Sequence, residues 1–149
     1  MCYQCLTLGL VETATGHGDN SRREYSMLLI STRVGPSTIH GVGVFACEPV
    51  VEGQIIWRFE PVFDRLIEDV ELSQAPDVFR AFLHMYAYRS VDLGGGLVLP
   101  CDHARFLNHS PDPNTAERPY VSFARRPIGI GEEITCDYGA FCTDWDGFD

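Results

Sequence analysis

Gly131-Glu132-Glu133-Ile134-Thr135-Cys136-Asp137-Tyr138-Gly139 is a short apolar run introduced by one glycine and closed by Asp-Tyr-Gly. Glu133 to Cys136 reads as a strand, with Pro127, Gly129 and Gly131 supplying the turn before it. A tyrosine at the end of a strand, just before glycine, can bring its phenol to the mouth of a cleft. The other reading is a core tyrosine with a satisfied hydroxyl. Glu132 and Glu133 are adjacent, so on a strand they face opposite ways and cannot work as a close acid–base pair. A turn and a solvated face account for both.

Upstream lies Arg105-Phe106-Leu107-Asn108-His109-Ser110, followed by Pro111-Asp112-Pro113-Asn114. Ala104 to Leu107 suggests one helical turn, and Asn108 to Ser110 suggests an Asx or Ser turn beside a Pro-rich loop. Further upstream stands His40-Gly41-Val42-Gly43-Val44-Phe45-Ala46. Two glycines one residue apart let backbone approach a ligand, or else make a bulge or tight turn. The third glycine and following helix of a dinucleotide fingerprint are missing.

Strands are also expected at Met27 to Ile30, Val42 to Cys47, Ile55 to Phe59, Leu97 to Leu99 and Tyr120 to Ala124. Gly35-Pro36, Glu52-Gly53 and Gly94-Gly95-Gly96 are expected turns. Between Pro76 and Tyr88 the period becomes helical: Val78, Phe79, Phe82, Leu83 and Tyr86 share a face, and Pro76 suits a first turn. The chain is therefore mostly β with one main helix, an α+β class. Regular βαβ alternation is missing, which argues against a doubly wound sheet.

The 149 residues suit one domain with a real core. A net charge of −10 disfavours direct nucleic-acid binding and favours a basic partner. No apolar run has the length of a membrane span, so no membrane association is expected. Six cysteines without a convincing signal peptide read as free thiols of a cytoplasmic protein. Cys2 and Cys5 form a lone Cys-x-x-Cys, two ligands short of a structural zinc site, so no metal is expected. Residues 1 to 26 read as a flexible extension, with Met27 a second candidate start.

The glycine motif, then Asn-His-Ser with Pro-Asn downstream, then Gly-Glu-Glu-Ile-Thr and Asp-Tyr, together resemble the SET-domain protein-lysine methyltransferases. The short length is similar to the compact stand-alone members of bacteria and viruses. The resemblance covers residues 27 to 142 and leaves 143 to 149 as an aromatic, acidic tail. It implies a pseudoknotted β fold in which the C-terminal segment passes under a loop and joins the Asn-His and Asp-Tyr motifs. It implies S-adenosylmethionine as cofactor and a lysine-containing basic protein or peptide as substrate.

By that resemblance, His40, Gly41, Val42 and Gly43 offer backbone to the cofactor, Arg105 and Phe106 flank its pocket, and Asn108 and His109 bond it. Tyr138 aligns with the catalytic tyrosine. Tyr86 or Tyr88 supplies a second tyrosine, Tyr86 toward the cofactor or as core, Tyr88 toward the substrate channel. Cys136 takes the place of an aromatic residue that limits the number of methyls added. Phe141 and Trp145 are expected to pack over the channel or the cofactor where relatives carry a Cys-rich zinc segment, the other reading being a loose terminus with chance aromatics. The rival expectations are a catalytically inactive SET-like module that binds a basic peptide or the cofactor, and a small β scaffold whose motifs coincide by chance.

Overall fold

The computed structural model describes residues 28–143. The expected extension at 1–26, Met27, the Cys2/Cys5 pair and Trp145 lie outside the described residues. No described helix is long and apolar enough to cross a membrane.

The chain opens with a hairpin of β1 (Thr32–Pro36) and β2 (Val42–Ala46), paired from Thr32↔Ala46 to Pro36↔Val42. Gly35-Pro36 therefore closes a strand instead of making the turn, which falls on the residues after Pro36. Proline is tolerated there because β1 is the edge of its sheet. The strand expected at Met27 to Ile30 reduces to a single bridge, Leu28↔Trp57, with Ile30 buried in the core.

After β3 (Ile55–Arg58) and β4 (Arg65–Ile67) come two helices, α1 (Asp69–Gln74) and α2 (Asp77–Tyr86). Nothing in the apolar pattern marks α1 as a helix. It is six residues long, buries none of them, and starts on a capping box between Glu68 and Glu71. Pro76 is the N-cap of α2, and it separates the two helices. Of the apolar face expected on α2, only Leu83 is buried (1% exposed), while Val78 stays 84% exposed. The helix has one small cluster to lean on, formed by Ile67, Leu83 and Leu97.

β5 (Tyr88–Arg89), β6 (Leu97–Leu99), β7 (Asn108–His109), β8 (Thr115–Arg118), β9 (Val121–Ala124) and β10 (Glu133–Cys136) complete the strands. A 3-10 turn, His103–Phe106, precedes β7, and another, Tyr138–Ala140, follows β10. Three small sheets result, ordered β1-β2-β10-β7, β3-β9-β8 and β4-β6-β5. Asn108-His109 is thus strand, where local chemistry suggested a turn. Pairing with a strand far along the chain overrides the Asx preference.

β10 is the centre of the first sheet. Glu133 and Ile134 pair antiparallel with Phe45 and Val44 of β2. Thr135 and Cys136 pair parallel with Asn108 and His109 of β7. One face of the strand puts Ile134 into the main core with Ile30, Val44, Ala46, Val50, Ile56, Ala124 and Ile128. The backbone of the strand is held by Asn114, which is 2% exposed. Asn114 Nδ2 donates to Glu133 O (2.7 Å) and its Oδ1 accepts from Thr135 N (2.9 Å). Buried backbone groups need such partners.

Replacing Asn114 with alanine leaves both of those backbone groups unpaired in the interior. The expected loss is about 3 kcal/mol. Urea unfolding should show a lower midpoint at an unchanged slope.

Candidate active site

The glycine motif and Asn108 form one unit. Asn108 Nδ2 donates toward His40 O (3.2 Å), Val42 O (3.0 Å) and Glu133 Oε1 (2.8 Å). The Glu133 carboxylate also accepts from Ser37 Oγ at 2.8 and 2.9 Å, and Ser37 Oγ accepts from Ile39 N at 2.9 Å. The loop at 37–43 is therefore clamped to β10 and β7 by side chains. Gly41 supplies a left-handed turn residue at φ +46. Gly43 is glycine because a Cβ there would collide with the Glu133 carboxylate and lie 3.2 Å from Asn108 Nδ2. Glu133 is consequently a network member, not the solvated residue expected. Glu132, in the turn before β10, accepts from Gly129 N (2.9 Å) and from the buried Asn114 Nδ2 (3.2 Å) and pairs with Arg126 (2.7 Å).

Tyr138 follows β10 closely. Its amide donates to His109 Nδ1 (3.2 Å), which puts the ring hydrogen of a neutral His109 on Nε2. Its phenol donates to Leu107 O at 2.5 Å. The Asp137 side chain accepts from Gly139 N at 3.0 Å and starts the 3-10 turn. The segment beyond is pinned to β5 and the residues after it: Val91 N donates to Phe141 O (3.1 Å) and Thr143 N to Arg89 O (3.0 Å). The Asn-His and Asp-Tyr motifs are thus in contact although they are far apart in sequence.

A cavity of about 450 Å³ opens beside Tyr138. Of the expected site residues, Tyr86, Tyr88, Arg105, Cys136, Tyr138 and Phe141 line it. Phe141 packs edge-on against Tyr88 with ring centres 4.8 Å apart, and its centre lies 6.0 Å from that of Tyr138. Tyr86 packs on both Phe82 and Phe106, so it serves core and cavity together. Asn108, His109 and the loop at 40–43, expected at the cofactor, are not among the cavity's lining residues; they bear on it through their bonds to β10 and to Tyr138 N. Arg105 and Phe106 also border a second hollow with Leu28, Thr32 and His103.

The wall has members that sequence reading missed. Trp57 is 6% exposed, and its Nε1 is buried without a hydrogen-bond partner. Glu117 puts a carboxylate on the cavity surface. The Pro-rich stretch before β8 reads as loop, so nothing marks Thr115–Arg118 as a strand with an inward face. Burial pushes the phenols of Tyr88 and Tyr138 and the thiol of Cys136 well above their ordinary values. Nearby ionisable acids add to the shift.

The sequence model of the SET domain matches residues 41–139. The histone-lysine N-methyltransferase SETD1 of Drosophila melanogaster is 31% identical over 122 residues, covering 68% of this chain and 7% of that protein. The human histone-lysine N-methyltransferase SETD1A is 28% identical over 126 residues, covering 71% of this chain and 7% of that protein. The chain thus spans less than a tenth of the length of these curated relatives. Among solved structures, Polycomb Repressive Complex 2 of Chaetomium thermophilum bound to GSK126 superposes with a TM-score of 0.59 at 21% identity. The match covers 77% of this chain and 16% of that one. An active polycomb repressive complex 2 in the basal state gives 0.56 at 24% identity, covering 74% and 15%. Both structural likenesses concern the fold.

Two measurements test the clamp and the buried acids. Gly43→Ala should push Glu133 off Asn108 and lower stability by about 1–3 kcal/mol in denaturant unfolding. The fold holds Tyr88, Tyr138 and Cys136 in their protonated forms, with folded values above the unfolded ones of 10.0 and 9.0. Their contribution is complete below about pH 9 and is lost as pH rises further. The melting temperature should therefore fall above that pH, and a Cys136→Ala, Tyr88→Phe double variant should fall less steeply.

Proposed function

The chain belongs to the SET-domain family, and from that premise we propose that it transfers methyl groups from S-adenosylmethionine to the side-chain amine of lysine in a basic protein. The observation that carries this reading is the phenol of Tyr138. It sits at the cavity wall, oriented by Leu107 O and by its own amide bond to His109. The relatives are named histone-lysine N-methyltransferases. A net charge of −10 suits a histone-like or other basic substrate.

The residues present fit the cofactor. The cavity is in the size range of small-molecule sites. Its wall is rich in aromatic rings, from Tyr86, Tyr88, Tyr138 and Phe141, and rings of this kind favour a cationic ligand such as a sulfonium. Tyr86 and Arg105 would hold it within the cavity, flanked by Phe106. The His40–Gly43 loop, Asn108 and His109, which do not line the cavity, would act through their bonds to Glu133 and to Tyr138 N. When bound, the cofactor supplies an electrophilic methyl group on sulfur.

The chain's own residues do the rest. A free lysine amine, with a pKa of about 10.4, is protonated at neutral pH and cannot attack. Desolvation in the cavity lowers that value. Tyr138 remains a neutral phenol because burial raises its pKa. It is therefore an orienting group and not a general base. Its hydrogen is committed to Leu107 O, which leaves its oxygen lone pairs to accept from the amine and align it. Cys136 is smaller than an aromatic residue and its thiol bonds only weakly, 3.9 Å from Asn108 O. It leaves room for an amine that already carries methyl groups.

Radiolabelled methyl transfer to core histones and lysate proteins tests the reading. The Tyr138→Phe variant should lose about a hundredfold or more in kcat. Calorimetry should show its cofactor affinity little changed. A wild-type protein that binds the cofactor and transfers nothing is instead the inactive binding module. Mass spectrometry of the wild-type product should reveal dimethyl- or trimethyl-lysine at long times. A product that stops at one methyl shows that Cys136 does not make that room.

A further inference from the structure

β3, β9 and β8 lie side by side, and their register sets Trp57 against Ser122 and Ser122 against Glu117. Cross-strand partners present their side chains on one face. That face is the cavity wall, and all three residues line it. The row ends in the carboxylate of Glu117, which shares the cavity with Tyr88 and Cys136. Tyr88 and Cys136 both feel its charge.

The hydrogen bonding of Glu117 is incomplete in a specific way. One oxygen accepts from Ser122 Oγ. The other lies 3.1 Å from Thr115 Oγ1. Thr115 has a single hydroxyl hydrogen, and Thr135 O claims it at 2.9 Å. Among the described residues, no guanidinium or ammonium pairs with Glu117. The neighbouring Arg118 instead places its guanidinium over a ring, 4.7 Å from the centre of Phe123. A half-buried carboxylate with neutral donors and one under-served oxygen lacks a cation. Burial, the largest cause, raises its pKa and Asp137 adds to the rise, while the Ser122 hydroxyl opposes it.

The rings of Trp57, Tyr88, Tyr120 and Phe141 share the same cavity. Aromatic faces and a carboxylate together are the surroundings that an alkylammonium prefers. We propose that Glu117 is the docking carboxylate for a primary alkylammonium, held at the end of the Trp57–Ser122–Glu117 row. Under the methyltransferase reading, on which the identity of the ligand rests, that group is the lysine side chain of the substrate. Ser122 is the positioning residue that aims the carboxylate. The ammonium enters charged, is held at Glu117, and releases its proton to solvent before it attacks.

The test uses two small probes of equal shape, n-butylammonium and n-butanol, titrated into the full chain and followed by NMR chemical shifts. The wild type should prefer the ammonium by about tenfold, the scale of one charged hydrogen bond. Glu117→Gln keeps the shape and removes the charge, and it should lose most of that preference, keeping only what the aromatic rings supply. Glu117→Asp keeps the charge and should retain a preference for the ammonium. Thermal melts identify any variant that is unfolded. No preference in the wild type, or an undiminished preference in Glu117→Gln, overturns the proposal. A preference that depends on Glu117 in a protein with no methyl transfer sinks the enzyme reading and leaves the ammonium site standing.

Discussion

The placement of β10 governs the molecule. A strand of four residues is inserted between two others, antiparallel to β2 on one side and parallel to β7 on the other. Its neighbours come from distant parts of the domain. Regular pairing with either alone would leave buried backbone unsatisfied, which is costly in an apolar interior. Asn114 and Thr115 supply the missing partners from β8 and its approach, Asn114 to Glu133 O and Thr135 N, Thr115 to Thr135 O. Asn108 does the same for the carbonyls of the glycine loop. Two buried amides thus convert three distant motifs into one rigid unit.

The site hangs from that unit. Tyr138 is the second residue past β10, so wherever the strand goes its phenol follows. The 3-10 turn and the bonds from Val91 and Thr143 then fix the chain that carries Phe141 against Tyr88. The cavity is bounded on one side by this C-terminal segment, on another by the row on β3, β9 and β8, and on a third by Tyr86 and Arg105. Burial raises the pKa values of the Tyr88 and Tyr138 phenols and the Cys136 thiol and favours their neutral forms. Glu117, the half-buried carboxylate in its wall, has only neutral partners among the described residues. That contrast is the ground on which a cationic occupant is proposed.

Local signals are reliable where they are strong. Val42 to Cys47, Ile55 to Phe59, Leu97 to Leu99 and Glu133 to Cys136 read as strands from their β-branched and apolar runs, and the first two each end one residue earlier in the structure, at Ala46 and Arg58. α2 is visible from its period, yet the period overstates its burial, because only Leu83 finds a core to enter. Asn108-His109 looks like a turn because Asn bonds locally when nothing better is offered. In the folded chain a strand arrives to pair with it. Glu133 looks solvated because a charge at a strand end usually is. Only the nearness of Ser37 and Asn108 draws it inward.

What the amino-acid order determined unaided was the set of motifs: the glycines at 41 and 43, Asn108-His109, Asp137-Tyr138 and the spacing that marks a SET domain. Those are matters of residue type and separation, and they persist in any description of the chain. The tertiary structure alone decided that Asn108 serves the backbone of the glycine loop, that Tyr138 donates to Leu107, and that Glu117 faces the same space as Tyr88. Each of those depends on which strands lie side by side. Pairing between distant segments is set by burial and backbone satisfaction over the whole domain, and no local stretch encodes it.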